Sequence, residues 1–275
     1  MGVSVLRKDP VLYSRTTRPV PVRRRDIGEA LRTAWNRVLH KQFLFVYPLL
    51  LGLVNALAFF AVYAALGGPL DWSAFAEAHF APWAYLQEHQ HELLSGPLPL
   101  AAATLAGLTA VFLAASIRAP YFHAITGREY PKAPRTWRDV YRLAVLYLML
   151  DALFYLVPAA LRPGSDAALA VGLALLFANL LFLYADYAVV FEGLSPVASI
   201  RRSVDLLLKN PLAAFAVTAA SYVLWTLVTS LYGAYYSGGN GVFVLFPLSQ
   251  MLAEAFVTVL LDTFLIFIYD YLTRT

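Results

Sequence analysis

Four acidic residues lie within long apolar stretches of the chain, where a buried carboxyl group is costly. They are Asp151, Asp186, Glu254 and Asp262. Each costs roughly 2.5 to 3.5 kcal/mol at the centre of a membrane, so we expect them to face other helices or a wet cavity. No Lys or Arg lies inside these stretches, and we expect the carboxyls to have no basic partner in the membrane. Two interpretations stay open, a site for a cation, a proton or a lipid headgroup, and hydrogen bonding between helices.

The sequence offers no recognisable set of catalytic or metal-binding residues. It contains no cysteine, which excludes disulfides, thiolate metal sites and cysteine nucleophiles. Phosphate-binding loops, nucleophile elbows, zinc-protease motifs and dinucleotide fingerprints are absent from it. His89 and His91 would point about 200 degrees apart on a helix, which does not favour a shared metal ion. We therefore expect no enzymatic activity, no metal, no cofactor and no nucleic-acid partner.

The composition places the acidic residues in an integral membrane protein. Of the 275 residues, 60% are hydrophobic and 14% are charged, which excludes an ordinary soluble domain. The predicted spans cover approximately residues 42–66, 98–117, 143–161, 167–191, 211–236 and 242–271. The predicted fold is thus all-α, a polytopic membrane protein with six transmembrane helices in residues 26–275 and a basic cytosolic arm in residues 1–25.

The basic residues are distributed unevenly between the two sides of the predicted membrane. Alternate segments between the spans contain 20 Lys and Arg residues on one side and 1 on the other. By the positive-inside rule, this asymmetry predicts that both termini lie in the cytosol. The predicted location is the bacterial cytoplasmic (inner) membrane.

Basic amphipathic segments precede three of the predicted spans. After Ser195, four apolar residues recur at helical spacing, namely Val197, Ile200, Val204 and Leu207. We expect such helices to lie in the membrane interface. The candidate contacts with anionic lipid or a protein partner are Arg23, Arg24, Arg25, Arg201 and Arg202.

The run from Ala185 to Asn210 contains an apolar span that ends in Glu192-Gly193, followed by a short amphipathic helix with a basic end. It resembles six-span bacterial membrane proteins related to the membrane domain fused to some glycerophosphodiester phosphodiesterases. The Ala-Leu-x-x-Ser-like core of that pattern is replaced here by the segment 199–203. The resemblance implies the six-span fold but no phosphodiesterase activity, because the polar catalytic segments are missing. In this run Glu192 is a candidate structural brace, positioned to pair with Arg201 or Arg202.

Two functional hypotheses follow from these patterns. The sequence favours a non-enzymatic scaffold or membrane-organising component that engages anionic lipid, a protein partner or further copies of itself. The alternative is a small transporter or channel that uses the four intramembrane acids along a polar pathway.

Overall fold

The computed structural model describes residues 32, 35, 36, 38–126, 133–156, 166–209, 211–241 and 245–274. The predicted arm with Arg23, Arg24 and Arg25 lies outside the described residues. Within the described ranges the chain is helical and has no strand.

The helices are numbered α1 to α11 in chain order over these ranges. They are α1 (Val46–Ala65), α2 (Trp72–Phe80), α3 (Pro82–Glu88), α4 (Gln90–Ser95), α5 (Pro97–Thr126), α6 (Ala133–Asp151), α7 (Asp166–Leu181), α8 (Ala185–Glu192), α9 (Pro196–Lys209), α10 (Pro211–Tyr235) and α11 (Phe246–Arg274). A 3-10 turn, Gln42–Phe45, leads into α1, and a π-helical segment, Ala152–Leu156, continues α6.

Four helical segments in the described ranges are long and apolar enough to cross a membrane. They are Gln42–Ala65, Pro97–Thr126, Ala170–Glu192 and Phe246–Asp270. They coincide with predicted spans one, two, four and six, which makes the chain a membrane protein by length and composition. The helices at predicted spans three and five, α6 and α10, are not among these four.

The second span is longer than predicted. Its helix α5 continues from Pro97 to Thr126 as 30 residues, nine beyond the predicted end at residue 117. Arg118 therefore lies within a helix rather than in a loop after it. The residues that follow Arg118 are mostly apolar, and Tyr121, Phe122 and Ile125 are fully buried, so packing stabilises the extension.

The core lies where the second half of α5 meets α6, α8, α9 and the second half of α11. Its largest buried side chains are aromatic and include Tyr121, Phe122, Tyr184 and Tyr187. The Phe122 and Tyr187 rings meet edge to face with centroids 4.9 Å apart. Towards the other end, α1 packs along α5 and α11. The buried core is thus concentrated at one end of the bundle.

The fourth span is interrupted. Helix α7 ends at Leu181, a turn covers residues 182–184, and α8 begins at Ala185. Helix α8 ends at Glu192, and the Gly193 that follows has a φ of 68°, in the left-handed region that glycine adopts without a steric penalty. Arg142 of α6 donates a hydrogen bond to the Gly193 carbonyl. The Glu192-Gly193 pair of the sequence pattern is therefore a helix end fixed to α6.

The buried face of α9 differs from the predicted apolar stripe. Val197 is 51% exposed, whereas Ser199 and Ser203 are fully buried beside Leu206 and Leu207. The two serines tolerate burial because their hydroxyls are hydrogen-bonded, Ser199 to its own helix and Ser203 to the interrupted span.

Residues 72–95 between the first two spans form the short helices α2, α3 and α4. They are attached to α1 by an aromatic cluster in which Phe59, Tyr63 and Phe75 are buried. His79 packs against the Phe75 ring at 5.7 Å, and burial lowers the pKa of His79. No group of three His, Asp or Glu side chains that could hold a metal ion occurs in the described ranges.

Candidate functional site

A cavity of about 660 Å³ lies among the helices α1, α5, α6, α7, α8, α10 and α11. Its volume is within the range of 300 to 1,000 Å³ that is usual for small-molecule sites. Most lining residues are apolar, and the polar ones are Asn55, Arg118, Tyr147, Asp151, Asn179, Asp186, Glu254 and Thr258. A few polar groups in an apolar wall are typical of a site that orients a ligand.

Three of the four predicted acids line this cavity. Asp151 reaches it from the end of α6, Asp186 from α8 and Glu254 from α11. The carboxyls are 35 or more residues apart in the sequence and are brought together only by packing of the helices. Asp262, on α11, does not line the cavity.

Asp186 has a basic partner, so our expectation that the acids lack one is wrong for this residue. The Arg118 Nη1 atom lies 3.1 Å from Asp186 Oδ2 and donates a hydrogen bond to it. The same nitrogen lies 3.4 Å from the Tyr147 hydroxyl, and the guanidinium carbon is 5.8 Å from the centroids of the Tyr147 and Phe122 rings. These contacts satisfy the arginine where it is mostly buried. The expectation fails because α5 extends past the predicted end of its span.

Asp262 belongs to a buried polar layer next to the cavity. Its Oδ1 accepts a hydrogen bond of 2.8 Å from the Tyr187 hydroxyl, and the fully buried Tyr121 lies beside the carboxyl group. Oδ2 of Asp262 makes no hydrogen bond of good geometry within the described ranges. Because Tyr187 directly follows Asp186, α8 links this layer to the cavity. Asp262 therefore lies behind the cavity wall and does not face the cavity.

The cavity has an excess of acidic groups. Glu254 accepts a hydrogen bond of 3.0 Å from Gln250, one turn earlier on α11. Among the residues that the structure describes, neither Asp151 nor Glu254 forms an ion pair. Three lining carboxyls and one guanidinium give the cavity a formal charge of −2. Such a site attracts cations and repels anions.

Irregular backbone flanks two of the lining acids. Asp186 is the second residue of α8, directly after the interruption of the fourth span, and its Oδ1 accepts a hydrogen bond from the Tyr187 N–H. Asp151 is the last residue of α6 before the π-helical segment. Backbone irregularities at membrane depth are tolerated where they are buried in protein or line a cavity, and they often mark functional sites.

Glu192 lies outside the cavity, at the end of α8. Its Oε1 atom is 3.0 Å from Arg202 Nε and accepts a hydrogen bond of 2.6 Å from the Tyr269 hydroxyl. The hydrogen bond to Glu192 raises the pKa of Arg202. Glu192 thus connects α8, α9 and α11. Arg201 is exposed and forms no ion pair within the described ranges.

Three contributions to the site were missed by the sequence reasoning. Arg118 was assigned to the segment after the second span, although an arginine one residue past an apolar run can reach back to a buried acid. Tyr147 and Asn55 could not be recognised as site residues from the sequence, because single polar residues are common in membrane helices. Their convergence depends on helix packing.

Comparison with protein-family models, curated proteins and solved structures gave no match to this chain.

Proposed function

We propose that the protein is a six-span membrane transport protein that passes a small cation through the central cavity. The observation that carries the proposal is the convergence of Asp151, Asp186 and Glu254 with Arg118 on one cavity from four different helices. Intramembrane carboxyls that serve only as bonds between helices need not share a lumen of this size. Acids that line a cavity between membrane helices are typical of ion and proton pathways.

The interrupted fourth span supports the same function. Many transporters bind their substrate beside discontinuous membrane helices, where irregular backbone lines the cavity. Here Asn179, Asp186 and the turn between them all contribute to the cavity wall. The formal charge of −2 selects a cationic substrate over an anionic one.

The proposal includes the full predicted topology. Helix α10 has 25 residues and no charged side chain, and its length of roughly 37 Å is sufficient to cross a bilayer. Helix α6 would supply the remaining span together with residues that follow it. The charge asymmetry of 20 basic residues against 1 supports cytosolic termini.

Charge translocation by reconstituted protein tests the proposal. The purified chain is incorporated into liposomes, and currents are recorded after concentration jumps of K⁺, tetramethylammonium or H⁺ at constant chloride. We expect a current with at least one of these cations, and we expect Asp151→Asn and Glu254→Gln to reduce it about tenfold or more. Asp166→Asn is the matched control, because Asp166 is exposed at the start of α7 and outside the cavity. The absence of current for all three cations, or equal currents in all variants, would contradict the proposal.

A second role, contact with anionic lipid, is favoured by a specific observation on α9. Arg201 is exposed and without an ion pair in the described ranges, whereas its neighbour Arg202 is engaged by Glu192. Trp137, 62% exposed, and the exposed Arg138 lie on the adjacent helix α6. Tryptophan and arginine together are typical of the membrane interface.

Native mass spectrometry of single variants compares the contributions of Arg201 and Arg202 to lipid binding. We expect Arg201→Gln to reduce the retention of phosphatidylglycerol more than Arg202→Gln does, because only Arg201 is free for a headgroup. Replacement of Arg23, Arg24 and Arg25 by Gln tests the basic arm in the same way. Equal lipid retention in all variants would exclude this role.

A further inference from the structure

The side chain of Ser203 on α9 holds the interruption of the fourth span together. Its hydroxyl donates a hydrogen bond of 2.7 Å to the Leu181 carbonyl and accepts one of 3.0 Å from the Tyr184 N–H. Ser203 and Tyr184 are fully buried. One hydroxyl thus bridges the last residue of α7 and the residue before α8.

These two bonds replace bonds that a continuous helix would have made. In an α-helix the Tyr184 N–H would donate to Leu180, and the Leu181 carbonyl would accept from Ala185. Here the Leu180 carbonyl accepts from Leu183 at 3.3 Å, and Ala185 donates to Phe182 at 2.9 Å. Without Ser203, the buried Tyr184 N–H and the partly buried Leu181 carbonyl would lose these partners, which is costly in a helix interior.

The bridged turn belongs to the cavity wall. Asn179, Phe182, Leu183 and Asp186 all line the cavity, on both sides of the residues that Ser203 contacts. A change in the turn therefore moves the polar side chains on either side of it. Asp186 is only two residues from Tyr184, so its position opposite Arg118 depends on the geometry of the turn.

We propose that Ser203 is a positioning residue for the cavity and that α9 controls the cavity through it. The inference rests on the proposed function, since it names the element that regulates that site. Helix α9 has a buried face that holds the interrupted span and an exposed face that includes Arg201, Asp205 and Lys209.

The adjacent serine on the same face provides a matched control. Ser199 lies one helical turn before Ser203 and is equally buried, but its hydroxyl donates to Pro196 of its own helix at 2.7 Å. Replacement of Ser199 by Ala removes the same atom from the same buried face without touching the interrupted span. A general loss of packing at α9 would affect both variants alike.

Thiol labelling measures the geometry of the cavity directly. Because the chain has no cysteine, Asn179→Cys gives a single reporter in the cavity wall on α7, and Asn55→Cys gives another in the cavity wall on α1. Labelling by a small methanethiosulfonate is followed in detergent with each reporter in the wild-type, Ser203→Ala and Ser199→Ala backgrounds. We expect Ser203→Ala to change the rate at position 179 about fivefold or more, since one lost buried bond shifts an equilibrium by that order.

We expect Ser199→Ala to leave the labelling rate at position 179 within about twofold of the wild-type rate. The labelling rate at position 55 should change little in either variant. Ser203→Thr keeps the hydroxyl, and we expect it to restore the wild-type rate at position 179. Equal effects of the two alanine variants, or equal effects of Ala and Thr at position 203, would overturn the inference. The labelling rates do not depend on transport, so failure of the proposed function would leave this result intact.

If Ser203→Ala does not fold, hydrogen exchange of the wild-type protein decides the question. We expect the Tyr184 amide to be protected as strongly as the Ala188 amide, which donates to the Tyr184 carbonyl at 3.1 Å inside α8. Fast exchange at Tyr184 beside a protected Ala188 would overturn the inference.

Discussion

Removal of the Arg118 guanidinium tests the central ion pair of the cavity. At 3.1 Å and an effective dielectric constant of 20, the attraction between Arg118 and Asp186 is about 5 kcal/mol before desolvation is subtracted. The side chains are 30% and 14% exposed, so a large part of this attraction is offset by the loss of hydration. We expect a net coupling of about 1.5 to 3 kcal/mol.

The two single substitutions should differ. Arg118→Gln leaves the Asp186 carboxylate without its cation, and we expect it to lower the free energy of unfolding by about 2 to 4 kcal/mol. Asp186→Asn leaves Arg118 with Tyr147 and the Phe122 ring, and we expect a smaller loss of about 1 to 2 kcal/mol. The double variant should be more stable than the sum of the two losses implies.

Reversible unfolding in mixed detergent micelles, followed by circular dichroism, measures the four free energies of this double-mutant cycle. Arg201→Gln is the control for a change of one charge, since its side chain is exposed, and we expect it to alter stability by less than about 0.5 kcal/mol. A coupling energy near zero, with Arg118→Gln no worse than Arg201→Gln, would refute the reasoning.

Three further substitutions test individual contacts by the same unfolding measurement. Gly193→Ala should cost about 1 to 2 kcal/mol, because the φ of 68° strains any residue with a Cβ atom, and a neutral effect would contradict that backbone geometry. Tyr187→Phe should cost about 1 to 3 kcal/mol through loss of its buried bond to Asp262, and unchanged stability would mean that this bond is not formed. Arg202→Gln should cost at most about 1 kcal/mol, since both side chains of its pair with Glu192 are partly exposed, and a loss larger than that of Tyr187→Phe would reverse the ranking.

The fold class and the positions of four spans could be predicted because membrane helices depend on length and hydropathy, which are local properties. The interruption of the fourth span after Leu181 could not be predicted, since the residues of the turn are as apolar as those of the helices on either side. It depends on Ser203, 22 residues later in the chain. The acids at 151, 186 and 254 were recognised as candidates because charge is rare in such segments.

The convergence of these acids on one cavity could not be predicted, because no local sequence pattern determines which face of one helix packs against another. The position of Arg118 within a helix could not be predicted either. The second span was predicted to end at residue 117, because hydropathy does not include the stabilising effect of a distant carboxylate on an arginine. The burial of Ser199 and Ser203 on α9 could not be predicted from an apolar stripe, because it depends on hydrogen bonds that the two hydroxyls make in the folded chain.

The most direct test of the central claim is the charge selectivity of the cavity itself. A single Thr258→Cys in the cavity is labelled with a cationic and with an anionic methanethiosulfonate. The ratio of the two rates is divided by the ratio at Ser237→Cys, which lies in the exposed π-helical segment Tyr236–Asn240. Two net negative charges at roughly 6 Å in water attract the cationic reagent by about 1.4 kcal/mol and repel the anionic reagent by the same amount, which predicts a normalised rate ratio of about a hundredfold in favour of the cationic reagent. Equal normalised ratios, or no labelling at position 258, would contradict a water-filled, cation-selective cavity.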